Sequence, residues 1–310
     1  MYVGRFAPSP TGALHFGSLV AALASFLDAR AAGGKWLLRI ENIDPPREKP
    51  GSADAIRRSL DRLGLHWDGP ITFQSERSQL YWRALRDLHA TGALFACECS
   101  RTQIAKAAKS QTTEGPLYPG TCRHREPRPL DDGAEGSHDG IAWRLRADAS
   151  PAPIRFIDRI QGAQGADPST DLGDFVLRRR DGYFAYQLAV AIDDQRQGIT
   201  DVVRGVDLLP STFRQLLVLR HIGAAMPTYA HIPIALDAHG HKLSKQEGAS
   251  SIDAEPEAPL LFRALQFLQQ NPPRELRRTS AQEVLTWAIA HWSVGPMRGM
   301  QAISGEPGHI

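Results

Sequence analysis

Apolar positions along the chain change period several times, and each change predicts a boundary. Tyr2 to Ala7 alternates apolar and polar residues as a half-buried strand does, and Pro8-Ser9-Pro10-Thr11-Gly12 breaks the run. From Leu14 to Ala32 the residues Phe16, Leu19, Val20, Leu23, Phe26 and Leu27 fall at helical spacing, and Gly33-Gly34 ends the helix. Lys35 to Glu41 then reads as a largely buried strand. Two buried strands joined by a helix form a βαβ unit, so the sheet should be parallel there and the fold α/β.

Helical patterns follow at Ala53–Leu63 and Arg77–Thr91. The stretch from about Leu94 to Gly140 carries all three cysteines and ends in a polar, Gly-rich loop from Leu130, which predicts an inserted lobe with its own staple. Strand-like runs resume at Ile141–Arg146, Ile154–Asp158 and Phe175–Arg179; Asp181-Gly182 marks a turn and Tyr183–Ile192 a helix. Thr200–Arg204 and His231–Leu236 read as late strands around a helix near Thr212–Ile222. Beyond Ile252 the pattern is helical, with a disordered last dozen residues expected.

Composition changes this picture little. The chain has 310 residues, 42% hydrophobic and 23% charged, within the range of one large domain or two smaller ones. No run approaches a membrane span and the first residues lack the apolar stretch of a signal peptide, so a cytoplasmic protein without membrane contact is expected. A net charge of +2 means that a polyanionic partner must be held by local patches. Three cysteines in a reducing compartment argue against disulfides, and the Cys97-Glu98-Cys99 pair points to metal.

The strongest chemical signal is split. The segment Pro8 to Ser18 (P-S-P-T-G-A-L-H-F-G-S) lies between a strand and the start of its helix, where free N–H groups and the helix dipole favour phosphate. Gly12 and Gly17 allow close approach, and His15 and Ser18 can donate to phosphate oxygens. Far downstream, Lys242-Leu243-Ser244-Lys245 offers two ammonium groups to phosphates in a polar loop. Each segment alone reads as readily as a helix cap or a solvated basic loop; together they are far less ambiguous.

This pair resembles the signature of class I aminoacyl-tRNA synthetases. The opening R-F-A-P-S-P-T-G-A-L-H (5–15) resembles the glutamyl branch, as do I-E-N-I-D-P-P-R (40–47), G-L-H-W-D-G-P (64–70), Q-S-E-R (74–77), D-D-Q-R-Q-G-I-T-D-V-V-R-G-V-D-L-L (193–209) and S-T-F-R-Q (211–215). The likeness covers about residues 1–250. Only about 65 residues follow the lysine motif, too few for the anticodon-binding region of a full glutamyl-tRNA synthetase. The chain is therefore similar to the truncated paralogue family, the glutamyl-Q tRNA(Asp) synthetases. Asn42 departs from the family pattern, where an acidic residue is usual, and Glu247 places a negative charge just beyond the lysine loop.

The resemblance implies a Rossmann-type parallel-sheet catalytic domain at 1–250, a zinc-stapled insertion at about 94–140, and a helical segment at 251–310 in place of an anticodon-binding domain. It implies ATP-dependent activation of L-glutamate as the adenylate, with Mg²⁺ accompanying ATP. Glutamate then passes to the queuosine base in the anticodon loop of tRNA(Asp), and the chain is expected to act as a monomer. Two other readings stand beside it: a minimal glutamyl-tRNA synthetase charging the acceptor end, and a non-catalytic RNA- or amino-acid-binding paralogue. Intact Arg5, His15, Glu41 and Lys245 speak against the latter. A nucleotidyltransferase acting on a small metabolite would explain neither the glutamate residues nor the cysteine lobe.

Glutamate recognition needs a cationic clamp for the side chain and an acceptor for the ammonium. Arg5 and Arg204 end strands on the side where open α/β sheets bind ligands, Glu41 ends another, and Ser9 and Tyr186 supply hydroxyls. The family pattern places glutamate on the same positions, with Ala7 inside the Arg5–Ser9 segment; Tyr183 competes with Tyr186. By the same resemblance His15, Gly17, Ser18 and Lys245 hold ATP, and His15, Lys242 and Lys245 form the catalytic set. Cys97, Cys99 and Cys122 suit a closed structural zinc site. Ligand chemistry nominates His124 as the fourth ligand; the family pattern matches Tyr118. Arg178-Arg179-Arg180 and the arginines between Arg274 and Arg278 are candidate RNA phosphate contacts.

Overall fold

The computed structural model describes residues 1–130, 140–149, 152–236 and 252–304. Its first motif follows the apolar periods. Strand β1 (Val3–Phe6) leads into helix α1 (Phe16–Ala31) and back to β2 (Lys35–Ile40), which pairs with β1 in parallel. Apolar residues surround α1 on most sides, so it is packed between layers. After α2 (Ser52–Arg62) the short β3 (Thr72–Phe73) extends the parallel sheet.

The second half of the sheet comes from late in the chain. Strand β11 (Asp201–Gly205) pairs in parallel with β12 (Thr228–Ile232), which meets β8 (Ile154–Asp158) at Tyr229–Asp158. Thr200 donates its N–H to the Val3 carbonyl at 3.0 Å, which stitches β11 onto β1. The ladders β3-β2-β1 and β11-β12-β8 thus lie edge to edge and run outward from β1 and β11 in opposite directions, and ligands of such sheets bind at that switch point. The α/β, Rossmann-type expectation is borne out.

Three departures from the sequence reading have physical causes. The cysteine lobe does not stop at Gly140. Helix α3 (Ser78–Ala90) leads to β4 (Leu94–Cys97), then α4 (Arg101–Ala107) and the small hairpin β5 (Gln111–Thr112) and β6 (Gly115–Pro116). Strand β4 then pairs antiparallel with β7 (Ala142–Leu145), whose far edge takes β10 (Phe175–Arg178), while β8 pairs back with β9 (Gly162–Ala166). Second, α5 runs Tyr186–Arg196 and not from Tyr183, because Phe184 bridges back to Arg178. Third, Pro233 splits the predicted His231–Leu236 strand. It lacks the N–H a continuous ladder needs, so β12 ends at Ile232 and β13 (Ile234–Leu236) starts a separate pairing after α6 (Leu209–His221).

The C-terminal segment is helical, as expected: α7 (Glu257–Phe267) and α8 (Ala281–His291). It shares one apolar core with α1 and β2, with Phe267 edge-on to Phe16. The Trp292 indole N–H donates to Asp28 at 2.9 Å, and Arg62 donates to the carbonyls of Ile252 and Glu255. Among the last dozen residues, Ala302–Ser304 form β14 on β13, contrary to the disorder expected there; 305–310 lie outside the described residues. No described helix is long and apolar enough to cross a membrane.

Candidate active site

A cavity of about 460 Å³ opens at the switch point, over the ends of β1 and β11 and the start of α1. It is lined by every predicted glutamate residue (Arg5, Ala7, Ser9, Glu41, Tyr186 and Arg204) and by the nucleotide residues His15, Gly17 and Ser18. Lys242 and Lys245 lie outside the described residues.

The Pro8–Leu14 loop is anchored to β2 and its following loop, with Glu41 donating its N–H to the Pro8 carbonyl and Lys49 to that of Pro10, both at 3.0 Å. Gly12 turns at φ 147°, where a side chain would be strained. His15 stands at the N-cap position of α1 without capping it through its side chain, and Ser18 Oγ lies 2.8 Å from its Nε2. The first turn of α1 has no acidic residue, so its positive end is uncompensated.

Opposite the helix start lies a buried ionic cluster. Arg5 pairs with Asp194 (Nε–Oδ1 3.2 Å, Nη2–Oδ2 3.5 Å), and Arg39 reaches Asp194 at 2.8 Å and Glu41 Oε1 at 3.2 Å. All four are nearly inaccessible to solvent. Burial pushes the Asp194 carboxyl up, but Arg5 and Arg39 outweigh it and hold the group below the usual range. At Glu41 burial prevails over the same arginines, so its pKa is raised. An ammonium group beside Glu41 would favour its ionised form.

Arg204 is held by a different device. Its Nη2 donates to Thr212 Oγ1 (2.9 Å) and Gln215 Oε1 (2.8 Å), and its Nε donates to His231 Nε2 (3.2 Å). His231, wholly buried, bonds Asp158 through Nδ1 at 2.6 Å. Burial drives the imidazole pKa down to about 4; Asp158 resists and Arg204 adds to the drop. A neutral ring with its proton on Nδ1 satisfies both neighbours. Arg204 Nη1 alone among its nitrogens has no partner. A carboxylate in the cavity would supply one.

Sequence reasoning placed Arg5, Glu41 and Arg204 but missed Asp194, Arg39, His231, Asp158, Thr212 and Gln215, which hold them. One signal was visible: Asp193-Asp194 closes an otherwise apolar helical run, L-A-V-A-I, where two carboxylates require buried partners. Asp193 finds them in Gln74 (2.7 Å), Arg77 (2.5 Å) and Tyr81 (2.7 Å). Tyr183 does not line the cavity, whereas Tyr186 does.

The lobe brings Cys97, Cys99 and Cys122 together with their sulfurs within 4.8 Å of one another. Cys99 and Cys122 lie 3.5 Å apart; Tyr118 Oη is 3.4 Å from Cys97 Sγ, 3.8 Å from Cys99 Sγ, and accepts the Cys122 N–H at 2.9 Å. Thiolates around a tetrahedral zinc are spaced about 3.8 Å apart, so this set could hold such an ion. His124 is exposed and outside the group. The Arg144 guanidinium sits 4.1 Å over the Tyr118 ring. Arg123 grips Asp174 with two bonds, tying the turn that carries Cys122 to the residue just before β10.

The profile of the tRNA synthetases class I (E and Q), catalytic domain, matches residues 2–259. The chain is 51% identical over 293 residues to a glutamyl-Q tRNA(Asp) synthetase of Dechloromonas aromatica, covering 94% of each chain. It is 50% identical to one from Aromatoleum aromaticum, with 94% of this chain and 89% of that protein covered. Among solved structures, a glutamate tRNA ligase from Elizabethkingia meningosepticum shares the fold at a TM-score of 0.76 and 24% identity, over 99% of this chain and 68% of that one.

Proposed function

The chain belongs to the class I tRNA synthetases of the E and Q branch, and from that premise we propose that it joins L-glutamate to ATP and delivers the glutamyl group to queuosine in the anticodon loop of tRNA(Asp). The observation that carries this reading is the single cavity that unites Arg5, Glu41 and Arg204 with the uncapped positive end of α1. It offers two carboxylate clamps, one ammonium acceptor and a phosphate cradle within reach of each other.

Arg204 Nη1 takes the side-chain carboxylate of glutamate, and Glu41, with the Tyr186 and Ser9 hydroxyls, orients the amino acid by its ammonium. Arg5 supports the clamp. His15, Gly17 and Ser18 hold the ATP phosphates at the helix start, with the ATP bound as its magnesium complex. Among the described residues, the three cysteines are the one group of three or more His, Cys, Asp or Glu side chains close enough to share a metal. The α-carboxylate oxygen attacks the α-phosphorus in line; the bond to the bridging oxygen breaks and pyrophosphate leaves. The acceptor hydroxyl then attacks the acyl carbon and AMP departs. No protein nucleophile takes part, so catalysis rests on positioning and on cations facing the phosphates. Lys242 and Lys245 are assigned that charge, with Lys245 the principal one.

Cys97, Cys99, Cys122 and Tyr118 are assigned to a structural zinc ion, which would fix the lobe's shape. The chain is proposed to act as a cytoplasmic monomer. The test is transfer of labelled glutamate to tRNA from queuosine-replete and queuosine-free cells. Labelling of the replete pool alone is expected; equal labelling of both pools indicates acceptor-end charging, and labelling of neither removes the proposal.

A further inference from the structure

A second cavity, of about 190 Å³, abuts the first and shares Ser9, Thr11, Glu41 and Tyr186 with it. Its remaining wall comes from the loop after β2 and from the turn before α5, bringing Asp44, Arg47, Glu48 and Arg179 together. At this size it holds a small ring with a short arm, not a whole nucleotide.

The charges on its wall are unevenly paired. Asp44 is bonded by Arg47 and by Arg179 (Nη1–Oδ1, 3.1 Å). Arg179 spends its other nitrogens on Asp181. Arg179 is thus fully engaged, while Arg47 turns its Nε to Asp44 and leaves most of its side chain in solvent. Glu48 is half-buried and no cation pairs with it among the described residues; burial, and then Asp44, push its pKa up. A separate observation points the same way. Glu41, with a side chain only 5% exposed, spends Oε1 on Arg39, while its Oε2 has no hydrogen-bond partner on the wall shared by the two cavities. Glu41 is assigned to the ammonium of glutamate, which leaves Glu48 as the carboxyl group on this wall free to meet a second positively charged group.

Resting on the function proposed above, we propose that this second cavity is the acceptor subsite, and that Glu48 receives the secondary ammonium linking the deazaguanine of queuosine to its cyclopentenediol. The geometry of the reaction agrees. With glutamyl-adenylate in the larger cavity, an acceptor hydroxyl must reach the acyl carbon from a side that AMP does not occupy. Ser9, Glu41 and Tyr186, assigned to the amino acid, line both cavities, so the smaller one adjoins the larger at its glutamate end. A terminal ribose also presents a diol but no cation, so an anionic subsite favours the modified base over an acceptor-end adenosine.

The experiment separates the two half-reactions in Glu48→Gln and Glu48→Asp. Glutamate-dependent ATP–pyrophosphate exchange should stay within about twofold of the parent. Transfer to queuosine-bearing tRNA(Asp) should lose at least about tenfold in kcat/KM in Glu48→Gln, with partial recovery in Glu48→Asp. Unchanged transfer in Glu48→Gln would overturn the subsite, and so would an equal fall in both half-reactions. A parent enzyme that activates glutamate but labels no queuosine-bearing tRNA would instead overturn the functional reading itself.

Discussion

In the substrate cavity Arg5, Arg39, Glu41 and Asp194 pair opposite charges with one another, whereas in the cysteine lobe three thiols and a phenol, all metal-donor groups of one kind, converge. The first arrangement is complete on its own: each buried charge has an opposite charge within about 3.5 Å. The second brings three sulfurs to within 4.8 Å of one another, groups that repel once ionised and that suit a shared cation. A paired ionic cluster can hold its shape without ligand, and its arginines are fixed in direction. A cluster of like donors gains its cohesion from the ion it binds, so the order of the lobe should depend on what binds there. Ligand removal should therefore leave the cavity's shape intact and disturb the lobe.

The largest effect tests that dependence. Stripping the metal with a chelator, or making Cys122→Ser, should release the β4–β7–β10 lobe, because structural zinc supplies on the order of 10 kcal/mol to small sites. Metal analysis of the parent should give one zinc per chain. Proteolysis should then cut the stripped lobe near Gly120 while the parallel sheet stays protected. A metal-free protein with the same digestion pattern would erase the contrast.

Next in size is Arg204→Ala. Removing one partner from a buried charged contact costs roughly 3–5 kcal/mol. Glutamate-dependent pyrophosphate exchange should fall by at least about a hundredfold, with circular dichroism unchanged. Near-parent exchange would take Arg204 out of the clamp and leave its unpartnered Nη1 unexplained.

What could be read from the sequence divides along the same line. Arg5, Glu41 and Arg204 stand at strand ends, and His15 to Ser18 at a helix start; short-range patterning fixes both kinds of position, so those residues were legible. Their supports were not. Asp194 lies 189 positions from Arg5, and Asp158 lies 73 from His231, so only the folded sheet brings them together. The lobe's sheet was hidden for the same reason: β4 pairs with β7, and β7 with β10, across a long excursion that no local period reports. Pro233, by contrast, carried its warning in the sequence, and the split strand follows from its missing N–H.

A smaller effect tests the neutral histidine that separates Arg204 from Asp158. The folded imidazole titrates at about 4 against an ordinary 6.5, so below pH 6.5 the unfolded chain takes up a proton that the native state refuses. Stability from this group is therefore present above pH 6.5 and lost as the pH falls toward 4, by roughly 3 kcal/mol in all. His231→Gln should flatten that part of the stability curve measured by urea unfolding. It should also raise KM for glutamate more than it lowers kcat, because the side chain aims Arg204 without touching substrate. A curve unchanged in slope would mean that the ring is charged in the native state.

The finest test concerns the fourth position in the lobe. Imidazole is the commoner zinc ligand and His124 lies two residues from Cys122, yet His124 is exposed, while Tyr118 Oη sits 3.4 Å from Cys97 Sγ and 3.8 Å from Cys99 Sγ. The Arg144 guanidinium, 4.1 Å over the Tyr118 ring, fixes the face that the ring presents. Tyr118→Phe keeps the ring and its packing on Phe95 while deleting the oxygen, so it isolates ligation from shape. Zinc affinity, measured by competition with a chromophoric chelator, should drop about tenfold or more in Tyr118→Phe. It should not move in His124→Ala. The opposite result would place the imidazole on the metal and make the Tyr118 hydroxyl a brace for the Cys122 backbone, whose N–H it already accepts at 2.9 Å.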